Sequence, residues 1–263
     1  MNYYNEYDTF NAACLRELIA DGLIAEGDVD ERSISLVQPG DLRGYTQCHF
    51  FAGIGGWPHA LQLARVPHDR PLWTGSCPCQ SFSTAGEQRG FDDERHLWPE
   101  FFRLIAECRP VAVFGEQVAA AAGEVNGDCW LDLVQADLER AGYAFGSAVF
   151  PAEAVGAFHQ RERLYFVADS GRFRHESHGK TDADRVVGSF WSDAEWVLCG
   201  DGKRRALKPG LRPLAHGIPN WMGAVHGAGN AIVPQQAAAF IRAAVEAIED
   251  VVALVKKEKN HGL

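Results

Sequence analysis

Tyr45-Thr46-Gln47-Cys48-His49-Phe50-Phe51-Ala52-Gly53-Ile54-Gly55-Gly56 reads as a buried strand ending in a glycine turn. Trp57 to Val66 continues as a helix and stops at Pro67. Strand, glycine turn and helix together open an α/β unit. A second strand, Leu72-Trp73-Thr74, leads straight into Gly75-Ser76-Cys77-Pro78-Cys79-Gln80-Ser81-Phe82-Ser83-Thr84-Ala85-Gly86. A cysteine after a proline, followed by polar residues and glycine, points to a nucleophile presented on an ordered loop.

Working outward, Leu97–Cys108 reads as a helix, 111–114 as a strand, and Cys129–Ala141 as a helix. Tyr143–Phe150 and Leu164–Ala168 read as further strands, and Pro234–Lys257 as a long helix with a charged end. Near the N-terminus, residues 9–21 form an amphipathic helix pattern and Ser33–Val37 reads as a short strand. The alternation predicts an α/β fold, a truncated Rossmann-like unit with a mainly parallel sheet. Residues 169–222 break the rhythm, rich in Gly, Arg and His, and read as a small irregular insert. The expected units are an N-terminal helical extension over 1–44 packing on a catalytic domain at 45–168, the insert at 169–222, and a C-terminal helix at 223–263 that completes the catalytic domain.

A chain of 263 residues is long enough for one large domain with a small insert. No apolar run approaches the roughly eighteen residues that span a membrane. The Tyr- and Asp-rich start lacks a signal pattern, so a soluble cytoplasmic protein is expected, a monomer by default. Seven cysteines without a paired framework fit a reducing compartment, and no Cys/His spacing suggests a metal site. The net charge of −10 argues against a nucleic-acid partner when taken as a sum. Its distribution argues otherwise: Lys203, Arg204, Arg205, Lys208 and Arg212 lie within ten residues of one another, a patch able to hold a phosphate backbone. A solvated charged loop is the equal alternative from charge alone.

Cys79 is the candidate nucleophile, and Glu116 follows directly on the strand 111–114, at the sheet edge where α/β active sites form. With these residues in view, the chain resembles the DNA cytosine-5 methyltransferases. Pro78-Cys79-Gln80 matches their nucleophile motif, and Gly86–Asp93 looks like their mobile loop. Gly115-Glu116-Gln117-Val118 resembles Glu-Asn-Val, with Gln117 in place of Asn. Arg161-Glu162-Arg163 fits the Arg-x-Arg motif, although His159 stands where Gln is usual. Gly229-Asn230-Ala231-Ile232-Val233-Pro234 matches the late motif that returns the last helix to the cofactor side.

The resemblance implies a thiolate attack by Cys79 on cytosine C6, support at N3 by Glu116, and a base held by Arg161 and Arg163. It implies a cofactor wall of Phe51, Gly53, Ile54, Gly55, Gly56, Trp57 and Asn230. Double-stranded DNA is the expected partner, met by Gln80, Ser83, Gln88 and Arg89 around the loop. The insert then occupies the target-recognition position, with Lys203, Arg204, Arg205, Lys208 and Arg212 on phosphates. The target cytosine would be flipped from the duplex.

One part of the family pattern is missing. A strand, helix and strand usually lie between the glycine and Pro-Cys motifs, and they supply acids to the adenosine of S-adenosylmethionine. Here only one helix and one strand intervene, Asp69 is the sole acid there, and His49 stands where Asp is usual. Either residues 1–44 rebuild the pocket, with Asp28, Asp30 or Glu31 as ribose acids, or the donor differs. The second possibility is 5,10-methylenetetrahydrofolate, leaving 5-hydroxymethylcytosine. A non-catalytic DNA-binding relative is a third. A restriction–modification system and a phage that modifies its own DNA are both compatible contexts.

Overall fold

The structure, a computed structural model, describes residues 1–78, 97–125, 128–157, 159–173, 195–198, 204–207 and 231–260. In chain order the elements are β1 (Asn2–Asn5), α1 (Thr9–Ala20), β2 (Gly27–Asp30), β3 (Gln47–Phe50), α2 (Gly56–Leu63) and β4 (Leu72–Gly75). Then come α3 (Trp98–Cys108), β5 (Ala112–Val118), the short pair β6 (Glu124–Val125) and β7 (Asp128–Cys129), and α4 (Trp130–Arg140). The chain closes with β8 (Ala144–Phe150), β9 (Arg163–Asp169), the hairpin β10 (Glu195–Leu198) and β11 (Arg204–Leu207), and α5 (Pro234–Asn260).

Seven strands form one sheet in the order β2-β1-β3-β4-β5-β9-β8. The neighbours from β2 to β5 are all parallel, and β9 runs antiparallel to both β5 and β8. The mainly parallel α/β sheet is therefore as expected. The sheet is not truncated, however. The edge that seemed to be missing is present, and it comes from the N-terminus: β1 pairs with β3 over Asn2↔Gln47 to Asn5↔Phe50, and β2 pairs with β1. The strand–helix–strand precedes the glycine strand instead of following it. Residues 1–44 thus contain the expected helix α1 together with two strands that belong to the main sheet.

These strands escape pattern reading because both are short and polar. Asn2 and Asn5 are buried, yet each finds a distant partner. Asn2 Nδ2 donates to Gln47 Oε1 at 3.2 Å, and Asn5 Nδ2 donates to the carbonyls of Asp30 and Arg32 at 3.2 and 2.8 Å. A buried amide is tolerated only when its hydrogen bonds are met. The strand expected at Ser33–Val37 is instead a 3₁₀ turn, Ile34–Leu36. Ile34 and Val37 are buried three residues apart while Leu36 is 61% exposed, a spacing that a turn serves and a strand cannot.

Interior strands alternate between two cores. In β9, Leu164, Phe166 and Ala168 join Phe50, Trp73, Trp98, Phe101 and Trp130 beneath α3 and α4. Tyr165 and Val167 face the other way, with Trp57, Leu72, Phe114 and Ile241 beneath α2 and α5. Gly115 of β5 lies so close to β9 that a Cβ there would fall 2.0 Å from the Phe166 ring. Gly115→Ala is expected to destabilise the protein by about 1–3 kcal/mol through overpacking, read as a lower melting temperature.

His49 in β3 is fully buried, stacks on Tyr4 at 5.1 Å, and places Nδ1 2.8 Å from Thr74 Oγ1. Burial pulls its pKa down to about 3, so the imidazole is neutral and structural. Among the described residues, no helix is long and apolar enough to cross a membrane, and no cluster of His, Cys, Asp and Glu is arranged to hold a metal.

Candidate active site

Because β1 to β5 are parallel, their C-terminal ends converge on one edge of the sheet, where open α/β folds place their ligands. β3 leaves that edge through the glycine turn. Phe51, Gly53 and Gly55 take positive φ values of 51°, 55° and 81° there. Glycine adopts this region freely, whereas Phe51 holds it at a cost of about 1–3 kcal/mol. Gly55 caps α2 without any side-chain hydrogen bond, so the helix begins with its amides unserved by a capping side chain.

Glu6, the residue after β1, brings its carboxylate to this turn. Its Oε2 accepts from Gly53 N at 2.6 Å and its Oε1 from Asp8 N at 2.9 Å. The three acids expected here are otherwise engaged. Asp28 accepts from Tyr45 Oη, and Asp30 accepts from Tyr3 Oη at 2.7 Å and pairs with Arg32 at 2.7 Å. Glu31 pairs with Arg16 at 2.6 Å. Glu6 escaped the sequence reading because β1 did; an acid directly after a strand and before the Asp8-capped helix α1 was the available signal.

At the centre of the same edge, Glu116 and Gln117 lie within β5, not after it. Glu116 is 8% exposed and its Oε1 sits 3.0 Å from Arg163 Nε, on the antiparallel neighbour β9. Burial raises the carboxyl above the ordinary range, opposed by Arg163, the Ser76 hydroxyl and Arg161. Gln117 turns to the opposite face of the strand and donates Nε2 to the Cys77 carbonyl at 3.2 Å. Gln117 therefore ties β5 to Cys77, the residue that leads into Pro78 and Cys79.

Arg161, at a positive φ of 33°, donates Nη2 to the Ala231 carbonyl at 2.7 Å. Gln236 of α5 reinforces this wall, donating Nε2 to the Phe150 carbonyl at 2.6 Å. The structure thus gathers Glu116, Arg161 and Arg163, with the glycine turn of Phe51, Gly53, Ile54, Gly55, Gly56 and Trp57 on the same edge. Cys79, Gln80, Ser83, Gln88, Arg89, Lys203, Lys208, Arg212 and Asn230 lie outside the described residues. Arg204 and Arg205 lie in β11.

Residues 64–184 match the family model for C-5 cytosine-specific DNA methylase. This stretch of the chain is therefore similar to the C-5 cytosine-specific DNA methylases. The type II methyltransferase M.HhaI of Haemophilus parahaemolyticus is 34% identical over 100 residues, covering 38% of this chain and 30% of that protein. The type II methyltransferase M.Bsp6I of a Bacillus strain is 39% identical over 123 residues, covering 46% and 37%. The chain thus spans about a third of the length of these relatives. Among solved structures, DNMT2 of Spodoptera frugiperda overlaps with a TM-score of 0.43 at 12% identity, covering 69% of this chain and 45% of that one. The match to this methylase family begins at residue 64, after the glycine turn and the N-terminal strands. It includes Cys79, Glu116, Arg161 and Arg163. The match is to a methylase model, and the comparisons give the folate donor no support.

Proposed function

We propose that the chain transfers a methyl group from S-adenosylmethionine to C5 of a cytosine flipped from double-stranded DNA. The observation that carries this reading is the buried Glu116–Arg163 pair on the sheet edge that also clamps the entry to Cys79.

Cytosine C5 is too weak a nucleophile to attack an alkyl donor unaided. Addition of the Cys79 thiolate to C6 makes C5 enamine-like, and the charge that builds at N3 needs a proton or hydrogen bond. Glu116 suits this task because burial lifts its proton affinity toward the working range. Arg163 keeps the carboxyl oriented, and Arg161 ties the site to the segment entering α5. Loss of the C5 proton and departure of Cys79 then restore the aromatic ring. Flipping the base costs a few kcal/mol of unstacking, offset by contacts to the extruded base and backbone.

The residues present fit the donor. A carboxylate beside the glycine turn matches a ribose diol, as in dinucleotide-binding α/β folds, and Glu6 stands there. The start of α2, where backbone amides point outward, suits the donor's amino-acid carboxylate. When bound, S-adenosylmethionine supplies the electrophilic methyl group. An activity of this kind suits a restriction–modification system.

Nucleoside mass spectrometry on DNA incubated with purified protein tests the reading, with S-adenosylmethionine and methylenetetrahydrofolate in parallel reactions. The expected product is 5-methylcytosine with the first donor only, and none from Cys79→Ala. A gain of 5-hydroxymethylcytosine with the folate would overturn the donor. The absence of both products and of a covalent adduct with 5-fluorocytosine DNA would leave a DNA-binding relative.

A further inference from the structure

Gln236 lies in the first turn of α5 and is completely buried, so its amide must find its partners inside the protein. Its Nε2 carries two protons. One goes to the Phe150 carbonyl at 2.6 Å and the other reaches the Arg161 carbonyl at 3.4 Å. Its Oε1 accepts from Tyr165 Oη at 3.4 Å. Carbonyls only accept, so the NH2 must face them and the amide has a single orientation. Phe150 ends β8 and Arg161 stands two residues before β9. One side chain therefore fastens both ends of the connection between those strands. Arg161 needs such a fastening, because its φ of 33° lies in the left-handed region that non-glycine residues disfavour. A residue of that kind persists only where its surroundings over-determine it. Both halves of Arg161 are tied to the start of α5: its carbonyl to Gln236, and its Nη2 to the Ala231 carbonyl at 2.7 Å.

We propose that Gln236 is a positioning residue whose amide holds Arg161 in its strained conformation and sets where Arg161 and Arg163 stand. It engages Arg161 directly and Arg163 through Phe150, the cross-strand partner of Arg163 in the sheet. Tyr165 is the third alternate residue of the same segment, and the middle one, Arg163, pairs with Glu116 at 3.0 Å. That the two arginines serve a cytosine rests on the methyl-transfer reading; the fastening does not. Methionine at this position would keep the length and rough volume of the side chain but carry no donor. Two buried carbonyls would then lose their partner, and Arg161 would be free to relax to an ordinary backbone angle, carrying its guanidinium with it. A displacement of about 1 Å in groups that position a reacting molecule slows chemistry by roughly a hundredfold.

The test compares Gln236→Met with Ile241→Val, which trims the same helix in the core without touching a hydrogen bond of the fastening. Gln236→Met is expected to slow single-turnover methyl transfer by roughly ten- to a hundredfold, with the Kd for S-adenosylmethionine near wild type. Ile241→Val should lower the melting temperature and leave the rate alone. In an Arg161→Ala background, Gln236→Met should cost a smaller factor, because the amide acts through Arg161; a merely structural role would cost the same factor in both. Hydrogen exchange read by mass spectrometry reports the fastening without activity. Residues 151–162 should exchange faster in Gln236→Met, while residues 47–56 keep their protection. Gln236→Asn, whose amide is one methylene too short, serves if Gln236→Met fails to fold. Unchanged exchange over 151–162 overturns the fastening, and equal factors in the two backgrounds overturn the positioning role. Faster exchange confined to 151–162, when the wild-type protein transfers no methyl group, establishes the fastening and overturns the methyl-transfer reading.

Discussion

Glu116→Gln is expected to slow methyl transfer by roughly a hundred- to ten-thousand-fold, the usual worth of a positioned acid, with DNA affinity unchanged. Glutamine has nearly the same volume and still accepts from Arg163 Nε, so the site keeps its shape. What it cannot do is deliver a proton to cytosine N3. Single-turnover methyl transfer, compared with DNA binding by gel shift, separates the two effects. A variant within about tenfold of wild type would be too active for a lost acid.

The same carboxyl has a consequence for stability. Burial raises its folded pKa above the unfolded value, so between the two the native state holds a proton that the unfolded chain has released. Stability therefore falls as pH rises from the ordinary carboxylate range to the raised pKa, and the loss persists above it. Glu116→Gln should flatten that segment of the stability–pH curve. Thermal melts across the carboxylate range check the sign, and a curve as steep as wild type would contradict it.

Glu6→Ala is expected to raise the KM for S-adenosylmethionine by roughly ten- to a hundredfold, the worth of a charge-assisted hydrogen bond of about 1.5–3 kcal/mol. The effect has two sources. The carboxylate beside the turn is lost as a partner for the ribose, and Gly53 N loses the acceptor that steadies the turn. Asp30→Asn is the control. Asp30 already serves Tyr3 and Arg32, and its replacement should leave that KM near wild type while lowering the melting temperature. Calorimetric titration of the donor into both variants decides between them. A loss of affinity in Asp30→Asn with none in Glu6→Ala would move the ribose site to the outer strand.

The motifs of the candidate site were legible in the sequence because they are residue types at short spacing. Pro78-Cys79, Glu116 and Arg161-x-Arg163 each lie within a few residues of a strand end, and the strands β3, β4, β5 and β9 carry enough apolar residues to announce themselves. The glycine turn was legible for a similar reason, since Gly53 and Gly55 adopt backbone angles that most side chains disfavour.

The sheet edge and its acid were not legible. β1 reads Asn-Tyr-Tyr-Asn and β2 reads Gly-Asp-Val-Asp, and neither carries the apolar run of an interior strand. Their polar groups are acceptable only because Gln47 and the backbone of 30–32 meet them in the folded chain. The sequence alone determined the resemblance to the methylases and the candidate residues, because both depend on residue types at short spacing. Only the tertiary structure decided that an N-terminal strand–helix–strand completes the sheet and brings Glu6 to the glycine turn. Strand pairing joins segments by hydrogen bonds and burial, and these do not depend on their order along the chain.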